Sequence, residues 1–326
     1  MPQKTLVRRI ALALVITATV AAALFALMRL TGLERTWPLR TLVAYTPYLT
    51  LLALVPPIAA AVLRKWRLAL AGLIAPLVLA SLVVPRAFPD SQPEATGPRL
   101  TVMTLNLWIG QADAGKVVEM VGERGVDVLS VQELSVEAVA RLDAAGIGAL
   151  LPYREVRVTP GVESEGTGVY SRYPLARNTV LEFPATFAMT GVTITVPGTA
   201  PVELLAAHPA APWAATELRR WLKDLESLPS ASGGSTRIIA GDFNATLDHA
   251  ALREVLDRGF NDAADEVGMA LRGTWKGRSG LLALAPRVAL DHVFVDERVA
   301  VESVDFGDPP GTDHLPVFAV LRLPGQ

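Results

Sequence analysis

Arg237-Ile238-Ile239-Ala240-Gly241-Asp242-Phe243-Asn244 joins an apolar run directly to a carboxylate and an amide. A buried strand that ends this way carries side-chain oxygens at its tip. The pattern recurs along the chain. Residues 100–106 alternate apolar and polar and end at Asn106, and residues 126–133 end at Glu133. Residues 202–207 run into His208. Residues 288–295 enclose Asp291, and Gly311-Thr312-Asp313-His314 precedes the last apolar run at 317–323. Asp and His are poor strand residues, so their places at strand mouths point to chemistry rather than stability. Further strands are expected at 168–174 and 190–196. Helical spacing occupies 117–124, 213–228 and 250–258, with Asp248 placed to cap the last of these. Strands interleaved with a few helices predict an α/β fold, a two-sheet α/β sandwich flanked by helices.

Composition divides the chain. The 326 residues suit about two units. Up to residue 98 there are 10 basic and 3 acidic residues in an overwhelmingly apolar background, which leaves 20 basic and 29 acidic in 99–326. The polar part therefore carries a net charge of −9. A broad basic footprint for nucleic acid or anionic lipid is absent. Without cysteine there is neither a disulfide framework nor a thiolate metal site.

Three apolar stretches, at 10–28, 39–63 and 68–84, have no internal charge apart from Arg40 at the edge of the second. Each approaches the ~20 residues that cross a bilayer core. They predict three transmembrane helices within a membrane anchor at 1–84. A Pro-rich linker follows at 85–98, and the catalytic domain spans 99–326. Lys4, Arg8 and Arg9 precede the first stretch, and Arg64, Lys65 and Arg67 fill the turn before the third. The positive-inside rule puts both clusters in the cytoplasm. Three crossings then predict a multi-pass cell-membrane protein with an extracytoplasmic catalytic domain; a second stretch that does not cross inverts that orientation.

Taken singly, the polar positions have ordinary explanations. Asn106 suits a turn, Glu133 a first helical turn, His208 a satisfied core histidine, and Asp242 a turn after Gly241. Asp291 is harder to explain so, because a carboxylate within an apolar run is costly unless paired. His292 reads as a packing or supporting residue, His249 as a surface helix start, and Trp213 with Trp221 as one helix face against the sheet.

Together, Thr-Leu-Asn106-Leu, Val-Gln-Glu133-Leu, Ala-His208-Pro, Gly-Asp242-Phe-Asn244, Leu-Asp291-His and Thr-Asp313-His314-Leu-Pro-Val resemble, in order, the endonuclease/exonuclease/phosphatase superfamily of DNase I-like phosphohydrolases. The resemblance covers about residues 100–324, and the stretch after His208-Pro209 looks like the family's membrane-anchored bacterial branch. It implies a divalent cation, Mg²⁺ or Mn²⁺, held by Glu133 with Asn106 beside it and Asp313 nearby. It also implies that His314 contacts the phosphate or acts as base while Asp291 orients its ring. Asp242 would handle the attacking water or the leaving group, and Asn244 and His208 would donate to phosphoryl oxygens. The implied activity is in-line hydrolysis of a phosphate ester, most simply as a phosphodiesterase or endonuclease. The alternatives are a phospholipid or phosphoinositide hydrolase and an inactive binding module. The implied partners are a nucleic-acid or lipid-headgroup phosphate ester and the membrane, with no obligate protein partner.

Overall fold

A computed structural model describes residues 2–36, 39–231, 234–308 and 310–325. The chain forms two compact units, one comprising 1–86 with Asp248–Ala250, the other 87–247 with 251–326.

The first unit is helical. Its longest helix is Pro2–Thr31, followed by Thr46–Leu52, Val55–Val62, Trp66–Gly72 and Ile74–Val83. Among the described residues, two helical segments are long and apolar enough to span a bilayer, Leu6–Thr31 and Trp66–Ala87. Only 11% and 33% of their most apolar windows are buried, so neither is an ordinary core helix. The expected third span is not among them. Pro47 starts one short helix, and Pro56 and Pro57 start the next. Proline fits the first helical turn and cannot continue a preceding helix, so the second stretch yields a shorter apolar segment, Thr46–Val62. Two crossings return a chain to its starting side, which removes the basis for the extracytoplasmic expectation. Asp248 and His249 are buried in this unit, where Asp248 pairs with Arg29 at 3.0 Å. The expected surface position of His249 is therefore incorrect.

The second unit contains twelve strands among the described residues: β1 (Arg99–Asn106), β2 (Val128–Gln132), β3 (Tyr153–Thr159), β4 (Val162–Ser171), β5 (Leu175–Arg177), β6 (Thr190–Ile194), β7 (Val202–Ala207), β8 (Thr236–Asp242), β9 (Phe260–Asp262), β10 (Asp291–Asp296), β11 (Ala300–Phe306) and β12 (Val317–Arg322). They form two mixed six-stranded sheets, ordered β11-β12-β1-β2-β4-β3 and β5-β6-β7-β8-β10-β9. Side chains alternate across each strand, so every strand serves two layers. Val102, Val128 and Val169 of the first sheet meet Leu204, Ile238 and Val293 of the second in a dry core between the sheets. On the outer face of the first sheet, Met103, Leu129 and Tyr170 pack with Val117, Val121 and Leu142 from helices Ala114–Glu123 and Val136–Ala144. On that of the second, Leu205, Ile239 and Phe294 pack with Trp221, Leu225 and Leu252 from helices Ala215–Ser227 and Ala250–Leu256. The layering confirms the expected sandwich. Trp221 lies in this packing, but Trp213 precedes its helix and is 73% exposed.

The segment expected to be a linker makes specific contacts from residue 89 onward. Pro89 bridges Val267, Asp90 N–H donates to the Glu266 carbonyl, and the Gln92 side-chain Oε1 accepts from Val301 N–H at 2.7 Å. Gly97 N–H donates to the Leu323 carbonyl.

Strand direction explains why the polar positions meet. β1 and β2 are parallel, pairing Asn106 with Gln132 next to Glu133. β7 and β8 are parallel, pairing Ala207 with Gly241, so His208 and Asp242 leave the sheet together. β10 runs antiparallel to β8 and starts where β8 ends, with Asp291 opposite Asp242. β12 runs antiparallel to β1 with Val317 opposite Thr104, which brings the preceding Asp313 and His314 to the same edge.

Candidate active site

The site lies at that common edge. Asn106 is fully buried and joins its two sides. Its amide donates to Glu133 Oε1 and to Asp242 Oδ2, each at 3.0 Å. Its oxygen accepts from Trp108 N–H at 2.8 Å. The nitrogen of Asn106 thus faces the carboxylates, and its oxygen faces the backbone. Thr312 Oγ1 donates to the Asn106 carbonyl at 2.9 Å, tying the approach to β12 onto β1.

Trp108, Ile109, Glu133 and Asn244 all have left-handed backbone, with φ between 48° and 51°. Residues with Cβ atoms seldom adopt it, and such strain gathers where function needs a particular geometry. At Glu133 the turn is supported by Ile109 N–H, which donates to Oε2 at 2.5 Å. At Asn244 the backbone N–H donates to Asp242 Oδ1 at 2.8 Å, and the side-chain amide donates to the Pro209 carbonyl at 3.1 Å. One carboxylate, Asp242, is therefore held by donors from both sheets.

His314 lies between two carboxylates. Its Nδ1 is 2.9 and 3.1 Å from the two oxygens of Asp291, and its Nε2 is 3.7 Å from Asp242 Oδ2. Burial alone would depress the imidazolium, but Asp291 and Asp242 outweigh it and hold the ring's pKa up to about 10. His314 is cationic at neutral pH. Burial also pushes the Asp242 carboxyl up to about 7, against the pull of His314. A raised carboxylate pKa marks a stronger proton acceptor. Asp291 is fixed from behind, because Thr274 Oγ1 accepts from the N–H groups of Leu290 and Asp291 at 3.0 and 3.1 Å.

His208 is buried beside the Phe187 ring, with centroids 5.0 Å apart. Burial lowers its pKa, which favours the uncharged imidazole. Its Nδ1 has no hydrogen-bond partner. Asp313 shows the same deficit: Oδ2 accepts from Trp275 Nε1 at 3.0 Å, while Oδ1 is buried without a partner. A buried carboxylate oxygen left without a donor is costly, and a cation would satisfy it. Ligand atoms of Asp242, Asp291 and His314 lie within 4.8 Å of one another. There the His314 proton already mediates between the carboxylates. Oxygen donors dominate the surroundings, with Glu133, Asp242 and Asp313 carboxylates present, and such a set suits a hard divalent ion such as Mg²⁺ or Mn²⁺. The residues fit such an ion.

Thus Asn106, Glu133, Asp242, Asn244, Asp291 and His314 are linked to one another by backbone or side-chain contacts, with His208 and Asp313 at the same strand edge. Thr274 and Thr312 are supporting residues, and so is Asp224, which the sequence reading did not single out. Asp224 is buried and accepts from Thr186 N–H and Ala210 N–H, each at 3.0 Å, which fixes the turn after His208. A buried acid on the inner face of helix Ala215–Ser227 was the available signal. The backbone of Trp275 bridges both His314 and Val288. At the rim, the Arg278 guanidinium lies 4.0 Å over the Trp108 ring.

Residues 103–314 match the model described as the Endonuclease/Exonuclease/phosphatase family. Among curated protein sequences, none matches the chain. Solved structures show the same fold. One is an endonuclease/exonuclease/phosphatase from Beutenbergia cavernae, at 19% identity and TM-score 0.51, covering 70% of this chain and 72% of that one. Another is humanized D. rerio TDP2, at 17% identity and TM-score 0.55, covering 68% and 98%. A third is the endonuclease domain of TRAS1, a telomere-specific non-LTR retrotransposon, at 13% identity and TM-score 0.50, covering 69% and 99%.

Proposed function

The chain belongs to the endonuclease/exonuclease/phosphatase family, and on that premise we propose that it is a membrane-anchored, divalent-cation-dependent phosphodiesterase. The observation that carries this reading is the buried Asp291–His314–Asp242 series, linked through Asn106 to Glu133. When bound, a divalent cation supplies charge neutralisation on the phosphoryl oxygens, and Glu133 and Asp313 are the residues that would hold it, with Asn106 beside them.

The chain's own residues then divide the remaining work. Asp242 orients the attacking water and takes its proton, a role its raised pKa suits. His314, kept cationic and aligned by Asp291, stabilises charge on the phosphoryl group. His208 offers its unpartnered Nδ1 to a non-bridging oxygen, and the second amide hydrogen of Asn244 does the same. No serine or cysteine nucleophile is needed, so water attacks in line.

Two apolar segments, Leu6–Thr31 and Trp66–Ala87, support the membrane anchor. A lipid-headgroup diester is the second reading. The apolar segments, which would hold the site near headgroups, support it, and the net charge of −9 over residues 99–326 weighs against tight binding of any extended polyanion.

The test uses the full-length protein in detergent. It is offered bis-p-nitrophenyl phosphate, oligonucleotides, phospholipids and phosphoinositides with Mg²⁺, Mn²⁺ or Ca²⁺. Cation-dependent cleavage of at least one diester is expected. Folded protein that cleaves none of them removes the proposal, and recovery of the protein in the soluble fraction of lysed cells removes the anchor.

A further inference from the structure

His292 is the one buried histidine of the second unit to which the proposed hydrolysis gives no role. It follows Asp291 on β10, so its side chain leaves the opposite face of the sheet. There both ring nitrogens are engaged. Nδ1 lies 2.6 Å from Asp262 Oδ2, and Nε2 lies 2.9 Å from the Ala245 carbonyl. A carbonyl oxygen only accepts, so Nε2 carries the proton in that bond. Asp262 is itself held, since its Oδ1 accepts from Asp265 N–H at 2.9 Å at the start of helix Ala263–Glu266. Phe243 meets the His292 ring edge-on, with centroids 5.7 Å apart, and Phe294 packs at 5.4 Å. Ring position is thus fixed from several sides.

The carbonyl that His292 holds belongs to the turn that bears Asp242 and Asn244. Trp221 Nε1 donates to the preceding carbonyl of that turn, Phe243, at 3.0 Å. Between these two anchored carbonyls lies Asn244, at φ 50°. Left-handed backbone at a residue with a Cβ persists only where its surroundings over-determine it.

We propose that His292 is a positioning residue for the hydrolysis: backed by Asp262, its Nε2–H clamps the Ala245 carbonyl and so holds Asn244 and the Asp242 carboxylate in working geometry. The clamp acts from the helix-covered side of the sheet, through one backbone group, without touching the phosphate. It deepens the reading of Asp242 and Asn244 given above and rests on it.

Two isosteric replacements separate the clamp from mere packing. In His292→Gln the amide nitrogen falls near the Nε2 position and keeps the bond to Ala245. In His292→Asn it falls near Nδ1, keeps Asp262 and abandons Ala245. The full-length protein in detergent is assayed with bis-p-nitrophenyl phosphate and Mg²⁺, and hydrogen exchange is followed at the amides of Phe243 and Asn244. His292→Asn is expected to lower kcat about 10-fold or more while changing KM less than about threefold, and to speed exchange at both amides. His292→Gln is expected to stay within about threefold of the wild type in both readouts. Equal loss in the two variants, or an Asn variant with wild-type kcat and exchange, overturns the proposal. If the wild-type protein cleaves no diester, the hydrolase reading falls by itself, and the exchange contrast between the two variants decides the clamp.

Discussion

Gly241→Ala should damage stability and site together, because backbone atoms of Ala207 on the neighbouring strand stand where the Cβ would go. A Cβ at Gly241 would lie 1.9 Å from the Ala207 carbonyl oxygen, 2.8 Å from its carbon and 3.0 Å from the Ala207 nitrogen. Ordinary contact begins near 3.4 Å, so β7 and β8 must separate by about 1.5 Å at that point. All three obstructing atoms are backbone and belong to the Ala207–Gly241 parallel pairing, so no side chain can turn aside. Overpacking of this kind costs about 1–3 kcal/mol, and each ladder hydrogen bond lost adds about 1 kcal/mol. With one or two such bonds lost, a total of roughly 2–5 kcal/mol follows from those terms. The forced movement lies one residue from both His208 and Asp242, and a displacement of about 1 Å in a site can cost about 100-fold in rate. Gly148→Ala is the control. Gly148 lies in helix Ile147–Leu150, a Cβ there meets nothing within 4 Å, and alanine favours helix. Urea unfolding and turnover of bis-p-nitrophenyl phosphate are measured for both variants. Wild-type stability and rate in Gly241→Ala would refute the claim that close approach of β7 and β8 builds the site.

Two further outcomes follow from buried groups away from the reacting atoms. Thr274→Val leaves the N–H groups of Leu290 and Asp291 without their acceptor, and should destabilise the protein by about 2–4 kcal/mol in urea titrations. A loss under about 0.5 kcal/mol would mean that Thr274 does not hold Asp291. Tyr170 is fully buried, and burial pushes its phenol from 10.0 up to about 12. Because the folded-state pKa is the higher one, the neutral phenol's contribution is complete below pH 10 and is lost as pH rises through 12. That loss amounts to about 2–3 kcal/mol, and Tyr170→Phe should show an alkaline decline smaller by that amount between pH 10 and 12. Equal declines in the two proteins would contradict the assignment.

The sandwich and its site were legible because the strands that build them are central and apolar. β7 was expected at 202–207 and lies at Val202–Ala207. β8, β10 and β12 are likewise fed by Ile, Val, Leu and Phe runs, and their directions bring the terminal polar residues to one edge. Strands β3 and β11 were missed. Tyr153–Thr159 and Ala300–Phe306 lie at a sheet edge and keep several charged residues in water, which weakens the apolar signal. The three-residue β9 is too short to carry a period. Proline content made 85–98 read as a free linker, whereas the Gln92 amide and backbone groups attach much of it to the second unit. Hydrogen bonds of that kind leave no trace in composition. The burial of His249 depends on partners distant in the chain, such as the Arg40 carbonyl at 3.1 Å from its Nε2. The middle apolar stretch failed as a span because total hydrophobicity ignores where prolines restart a helix.

The central claim is that residues remote in sequence converge to hydrolyse a phosphate ester with a divalent cation. Its most direct test is a side-by-side rate measurement of wild-type protein, Glu133→Gln and Asp242→Asn on bis-p-nitrophenyl phosphate with Mg²⁺ or Mn²⁺. Wild-type turnover should stop on chelation and return with added cation. Both variants should fold normally and turn over slower by about 10²–10⁴-fold. Near-normal rates in either variant, or wild-type hydrolysis indifferent to chelation, would contradict the account.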